Sequence, residues 1–283
     1  MKVNGIFSNW KIKTRGLPQG TVTGPSYFNI IINDLQPANE LCKYVKFADD
    51  LTVKAHSSKT QPNDHLQEEL DHILKWSERK KMKLNTKKTE ELLIQKRRHD
   101  DPPRLLANDV EVCRVDATKI LGIKFDNGLT FKTHVGELIK KLNSKLYLLK
   151  QLKNNGYNTE ELQYYYTSVI ISAMTYGYGA WCCAANTTVS ALEIIRKRAE
   201  KIIGIKLEPI TKSLDKCVLN LFSAAHQASH PLHRLVPPNR RSGRVRNLRN
   251  DDELVTPRCR LNVHKRGFVC RSIVLYNEKS SVM

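Results

Sequence analysis

Around residues 44–53 apolar and polar side chains alternate: Val45 and Phe47 precede an acidic pair, Asp49 and Asp50, and Leu51 and Val53 follow it. A period of two predicts strands, and a tight turn between them would lift both carboxylates to a hairpin tip. Asp49 shares the parity of Val45 and Phe47, which predicts buried apolar neighbours holding the acids still. Upstream, Phe28, Ile31, Ile32 and Leu35 recur at helical spacing behind Pro25, a residue suited to a helix's first turn. Downstream, Leu66, Leu70, Ile73, Leu74 and Ser77 mark a second helix, capped by Asn63 or Asp64 and closed by Lys80, Lys81 and Lys83. A strand is expected over 91–94 and a short β region through 110–112 and 120–125. Asp126-Asn127-Gly128 is expected to turn that region into a hairpin with Leu129-Thr130-Phe131.

From about residue 134 the period is helical. Val135, Leu138, Ile139, Leu142, Leu146 and Leu149 form one stripe, stopped by Asn154-Asn155-Gly156. A second helix starts at Thr159-Glu160-Glu161 and carries Leu162, Tyr166, Val169, Ile170 and Ala173. The third follows Thr187-Thr188, with Leu192, Ile195, Ala199 and Ile202 inward and Arg196, Lys197, Arg198 and Lys201 outward, and ends at Gly204. Residues 163–191 carry no charge, but Tyr, Ser, Thr, Asn, Gly177 and Gly179 interrupt them. A membrane span needs roughly 20 predominantly apolar residues, so a buried helix and a turn are expected here. Beyond His226 the period fades: Pro231, Pro237 and Pro238 lead into a basic run over 239–249, and an amphipathic helix over 267–277 closes the chain.

Charge narrows the choice of partner. Lys and Arg number 47 against 28 acidic residues, a net +19, which points to a polyanion, either nucleic acid or an anionic membrane surface. The length of 283 residues allows one or two domains. Seven cysteines, an odd number with no framework spacing, and a start without an apolar signal core predict an intracellular protein, nuclear or cytoplasmic, and not a secreted one. His226, His230, His233, Cys259, His264 and Cys270 include no CxxC and match no common finger, so zinc is not expected.

Two adjacent carboxylates repel, and a divalent cation such as Mg²⁺ that prefers oxygen ligands neutralises them; an ordinary surface turn accounts for the same letters. Glycines at 16, 20 and 24 would let backbone approach a flat or phosphorylated ligand. The order is specific: Arg15-Gly16-Leu17-Pro18-Gln19-Gly20-Thr21-Val22-Thr23-Gly24-Pro25, an amphipathic helix, then Phe47-Ala48-Asp49-Asp50. Together these segments resemble the palm of reverse transcriptases, and from about Thr14 to the C-terminus the chain resembles the jockey-type branch of non-LTR retrotransposons.

That resemblance implies an RNA-directed DNA polymerase using Mg²⁺ or Mn²⁺, an RNA template, an RNA/DNA duplex and deoxynucleotide triphosphates, with no membrane partner. It implies that Asp49 and Asp50 bind metal, that Gln19, with Gly16, Pro18 and Gly20, shapes the nucleotide and template pocket, and that Lys88, in Leu84-Asn85-Thr86-Lys87-Lys88-Thr89, assists pyrophosphate departure. A solvated lysine run is the competing reading of Lys88. Residues 121–134 resemble the family's primer-grip hairpin, and the helices after them a thumb, with Lys140, Lys141, Lys145, Arg196, Lys197 and Lys201 on the nucleic-acid backbone. The expected class is α+β: an incomplete palm over 1–133, a helical thumb-like region over 134–225 and a basic tail over 226–283. The family's third carboxylate lies on a strand before the glycine loop, and residues 1–13 hold no Asp or Glu. The expectation is therefore a fragment with an incomplete site that polymerises little alone. The alternatives are a non-catalytic nucleic-acid-binding remnant and a structural helical protein drawn to anionic surfaces.

Overall fold

The computed structural model describes residues 2–3, 6–7, 9, 20–56, 64–95, 102–238 and 253–280. Gly16, Pro18, Gln19, the Asn63 cap and the basic run at 239–249 lie outside the described residues. The fold mixes helix and strand, as the α+β class requires, and divides into two compact units, Met1–Val115 and Asp116–Met283.

In the first unit β1 (Lys2–Val3) pairs with β2 (Ile6–Phe7), and α1 (Gly24–Asn33) follows. Next come an antiparallel hairpin of β3 (Cys42–Phe47) and β4 (Asp50–Ala55), and α2 (Asp64–Arg79). Then β5 (Glu90–Leu92), β6 (Leu106–Ala107), β7 (Val110–Glu111) and β8 (Cys113–Val115) finish it, with β6 against β7 and β5 parallel to β8. α2 organises this unit because it is apolar on two sides. Ile73 and Trp76 pack with Ile32 and Leu35 of the α1 segment and with Tyr44, Leu51 and Val53 of the hairpin. Leu70 and Leu74 pack with Leu105, Ala107 and Val112. The expected inner faces of α1 and α2 are thus observed.

The hairpin corrects one expectation: Val45 and Phe47 are exposed, at 58% and 61%, and the buried side carries Tyr44, Leu51 and Val53. Alternation was read properly, but its inner parity on β3 was assigned by hydrophobicity alone. The inner positions Tyr44 and Lys46 are amphipathic, their stems covering apolar surface while their polar ends find partners described below.

In the second unit β9 (Ala117–Ile120) and β10 (Ile123–Asp126) form a hairpin through Leu121 and Gly122, both with left-handed φ, 46° and 86°. The strand pairing therefore precedes the Asp126-Asn127-Gly128 turn. The expected hairpin with 129–131 does not form: the Asp126 carboxylate accepts the backbone N–H groups of Thr130 (2.8 Å) and Phe131 (2.7 Å), closing a turn that leads into a helix. That helix is α3 (Lys132–Asn154), carrying the expected stripe inward. A capping box of Asn158 and Glu161 starts α4 (Thr159–Tyr165), which continues through a π-helical turn (Tyr166–Ile171) into α5 (Ser172–Thr175). Then come α6 (Tyr178–Trp181), α7 (Asn186–Ile203) and α8 (Ile210–Ala225). The uncharged stretch is core: Ile170, Met174, Tyr178 and Trp181 are sealed from solvent, and no described helix is long and apolar enough to cross a membrane.

Sequence reading missed α8, although Ile210, Leu214, Val218 and Phe222 recur every four residues and are all buried. A 3₁₀ turn (His233–Leu235), α9 (Asn262–Arg266) and α10 (Phe268–Ser280) complete the unit. Residues after 225 pack back on α8: Leu254 and Ile273 close over Phe222, and Arg271 pairs with Asp215. The second compact unit, Asp116–Met283, includes this closing helix.

Candidate functional site

The turn that joins β3 to β4 consists of Ala48 and Asp49, because Phe47 pairs with Asp50. Ala48 takes a left-handed φ of 49°, which costs a residue with a Cβ about 1 kcal/mol. Asp49 therefore occupies the turn itself and Asp50 opens β4, and both side chains are exposed. Among the described residues neither carboxylate is engaged in an ion pair or a side-chain hydrogen bond. Asp50 shares its face with Phe47, Val45 and Thr52, since cross-strand partners point the same way. An exposed apolar surface thus runs beside the acids.

The opposite face is fastened by polar groups. The Lys46 ammonium donates to the carbonyls of Ile32 (2.9 Å) and Leu35 at the end of α1, where free carbonyls and the helix dipole favour a cation. Burial pulls its pKa below the ordinary lysine value. Tyr44 donates its hydroxyl to Glu69, a fully buried carboxylate on α2 that also accepts the N–H groups of Ala38 (2.9 Å) and Asn39 (3.1 Å). Burial, then the bond to Glu69, pushes the Tyr44 phenol far up. Asp34, just past α1, accepts from Trp76 Nε1 (2.9 Å) and pairs with Lys80, whose bond holds that carboxyl below its usual range. Sequence reading missed this whole set. Its only signal was a polar residue at an inward position of each element.

The remaining expected residues are placed as follows. Gly20 has a φ of 81°, a conformation that side chains other than glycine rarely adopt, and Thr21 accepts the Gly24 N–H (3.2 Å) at the start of α1. Gln19, Gly16 and Pro18 lie outside the described residues, so their expected place opposite the acids is not described. Lys88 is exposed in the turn between α2 and β5, which Asn85 closes by accepting the N–H groups of Lys88 (3.0 Å) and Thr89 (3.1 Å). No ion pair joins Lys88 to Asp49 or Asp50. In the second unit Lys140, Lys141, Lys197 and Lys201 are exposed and Lys145 is half-buried. Arg196 is a correction. It is buried on α7, paired with Glu193 and Glu200 and bonded to the Leu207 carbonyl (2.8 Å), so its charge is spent inside the unit rather than offered to a phosphate.

The sequence profile of the reverse transcriptase (RNA-dependent DNA polymerase) family matches residues 2–125. That segment is similar to the reverse transcriptase family. The chain is similar to the probable RNA-directed DNA polymerase from transposon X-element of Drosophila melanogaster, 25% identical over 66% of this chain and 21% of the relative. It is likewise similar to the RNA-directed DNA polymerases from mobile element jockey of Drosophila melanogaster, 25% identical over 76% and 25% of the two chains, and of Drosophila funebris, 24% identical over 71% and 23%. The resemblance to non-LTR retrotransposon polymerases therefore extends past the matched domain into the helical unit. The chain spans about a quarter of the length of these curated relatives. No solved structure gives a significant match.

Two exposed carboxylates at one turn are hard oxygen donors, the chemistry Mg²⁺ or Mn²⁺ takes. Among the described residues no group of three or more His, Cys, Asp or Glu side chains comes together, so the pair can fill part of a coordination shell.

Proposed function

We propose that Asp49 and Asp50 form the metal-holding tip of a reverse-transcriptase palm, and that the following helices act as a thumb holding template and primer strands. The observation that carries this reading is the tip itself: adjacent exposed carboxylates on a hairpin whose other face is clamped, inside the segment matched to the family. Divalent cations held there would supply activation of a primer 3′-hydroxyl and neutralisation of the leaving pyrophosphate. The chain's own residues have the complementary tasks. Asp49 and Asp50 would hold the ions, and the clamped strands would keep them still. Phe47 and Val45, open beside Asp50, offer an apolar face to a sugar or base. Gln19 and the glycine loop would shape the pocket, and Lys88, exposed and without an ion-pair partner among the described residues, would donate a proton or a positive charge to pyrophosphate.

Lys140, Lys141, Lys145, Lys197 and Lys201 supply attraction to phosphates that carries no sequence preference, as a polymerase needs. Because no third acid joins the pair among the described residues, this polypeptide alone polymerises little. The second reading, a non-catalytic nucleic-acid binder, is favoured by the same exposed lysines. Primer extension on poly(rA) with an oligo(dT) primer, run beside duplex binding at rising salt, tests both. Binding that weakens steeply with salt and little incorporation in Mg²⁺ or Mn²⁺ fit the proposal. Robust synthesis abolished by Asp49→Asn would overturn the inactivity, and absence of duplex binding at low salt would overturn the nucleic-acid role.

A further inference from the structure

Two of the seven cysteines meet across separate segments. The sulfur of Cys259, on the coil before α9, lies 2.9 Å from that of Cys270, in the first turn of α10. Both are free thiols, Cys270 buried and Cys259 partly open to solvent. The coil is already clasped at its other end: Leu254 donates its N–H to the Asn277 side chain (3.0 Å), and Asn277 donates back to the Leu254 carbonyl (3.1 Å). Residues 254–259 therefore run along α10 from Asn277 towards Cys270, held by hydrogen bonds at one end and by two unbonded sulfurs at the other.

We propose that Cys259 and Cys270 are a site of reversible thiol oxidation that takes a peroxide as co-substrate and fastens this coil to α10 through a disulfide. A sulfur–sulfur bond is about 2.0 Å long, so closing it from the observed separation asks for a movement of less than about 1 Å. The order of events follows exposure. Burial, then the neighbouring Cys259, pushes the Cys270 thiol up to about 11, which leaves the more open Cys259 to react first. Its thiolate attacks one peroxide oxygen, the O–O bond breaks, and with hydrogen peroxide a sulfenic acid and water result. The Cys270 sulfur then attacks the sulfenic sulfur, the S–O bond breaks, the S–S bond forms and a second water leaves. Two electrons pass from the thiols to the peroxide, and a small dithiol returns them.

The test uses the full chain, reduced and then treated with limited hydrogen peroxide, with peptides from tryptic digestion mapped without reduction. The expected result is one dominant linked pair carrying Cys259 and Cys270. It should form faster in the folded chain than in urea, reverse with dithiothreitol and vanish in Cys259→Ser, while Cys113→Ser, which removes an exposed thiol elsewhere, leaves it unchanged. Cys259→Ser is the informative variant because its side chain is not buried, so loss of the link does not report unfolding. Recovery of Cys259 and Cys270 as separate thiols or higher oxides would overturn the proposal. So would links chiefly to other cysteines, or equal linking rates in urea.

Discussion

The two units hold themselves together in different ways. The helical unit rests on one continuous apolar core, from Ile123 and Phe131 through Leu142, Ile170 and Trp181 to Leu214 and Val218, with buried polar groups that include Arg196 and His134. The first unit has two small apolar clusters on either side of α2, and its hairpin is held by Tyr44, Lys46 and Glu69. Apolar contact is non-directional, whereas a hydrogen bond fixes angle as well as distance. The difference teaches that the acids are aimed by polar clamps, while the basic helices need only a packed stripe.

The comparison breaks most visibly at Arg196. Arg196→Ala removes the cation between the half-exposed Glu193 and Glu200 and the bond to Leu207, and should cost about 1.5–3 kcal/mol in chemical denaturation, whereas Lys197→Ala next to it should stay within about 0.5 kcal/mol. An effect of similar size at both would return Arg196 to the surface. Glu69→Gln comes next: it weakens charge-assisted bonds to Tyr44, Ala38 and Asn39, each class worth about 1.5–3 kcal/mol, and should speed hydrogen exchange in β3 and β4 while α7 amides keep their rates. Uniform acceleration across both units would contradict the clamp.

A smaller effect is expected from pH. His134 is buried against Trp181 and accepts the Lys124 N–H (3.3 Å), and burial lowers its pKa. The unfolded imidazole gains its proton near pH 6.5 while the folded one resists, so stability is level above that pH and falls as pH drops towards the lowered folded value. His134→Gln should flatten this slope in denaturation curves taken at several pH values. The smallest change concerns Tyr166, whose buried hydroxyl has no hydrogen-bond partner among the described residues. Tyr166→Phe should therefore be neutral or slightly stabilising, and a loss above about 1 kcal/mol would mean that the hydroxyl is bonded.

Legibility in the sequence followed the same division. The stripes of α1, α2, α3 and α7 and the start of α4 at Thr159 could be read because periodicity reports directly on apolar burial. The inner parity of β3 could not, since Tyr44 and Lys46 are buried for what their polar ends reach on α1 and α2. Arg196 was misplaced for a related reason: a cation in a basic helix reads as solvated until Glu193 and Glu200, one turn to either side, are seen to enclose it. The Asp126 turn misled because a carboxylate before Asn-Gly can bond the N–H groups of the residues that follow it and close a turn without a second strand. The acids themselves were legible as a pair at a tip, but their clamps are long-range contacts.

The central claim is that Asp49 and Asp50 together hold a divalent cation, and paramagnetic broadening of backbone amide signals by Mn²⁺ tests it on the full chain without requiring activity. The account expects broadening centred on residues 48–51, strongly reduced in Asp49→Asn and in Asp50→Asn and competed away by Mg²⁺. Broadening centred elsewhere, or unchanged in both variants, would contradict it.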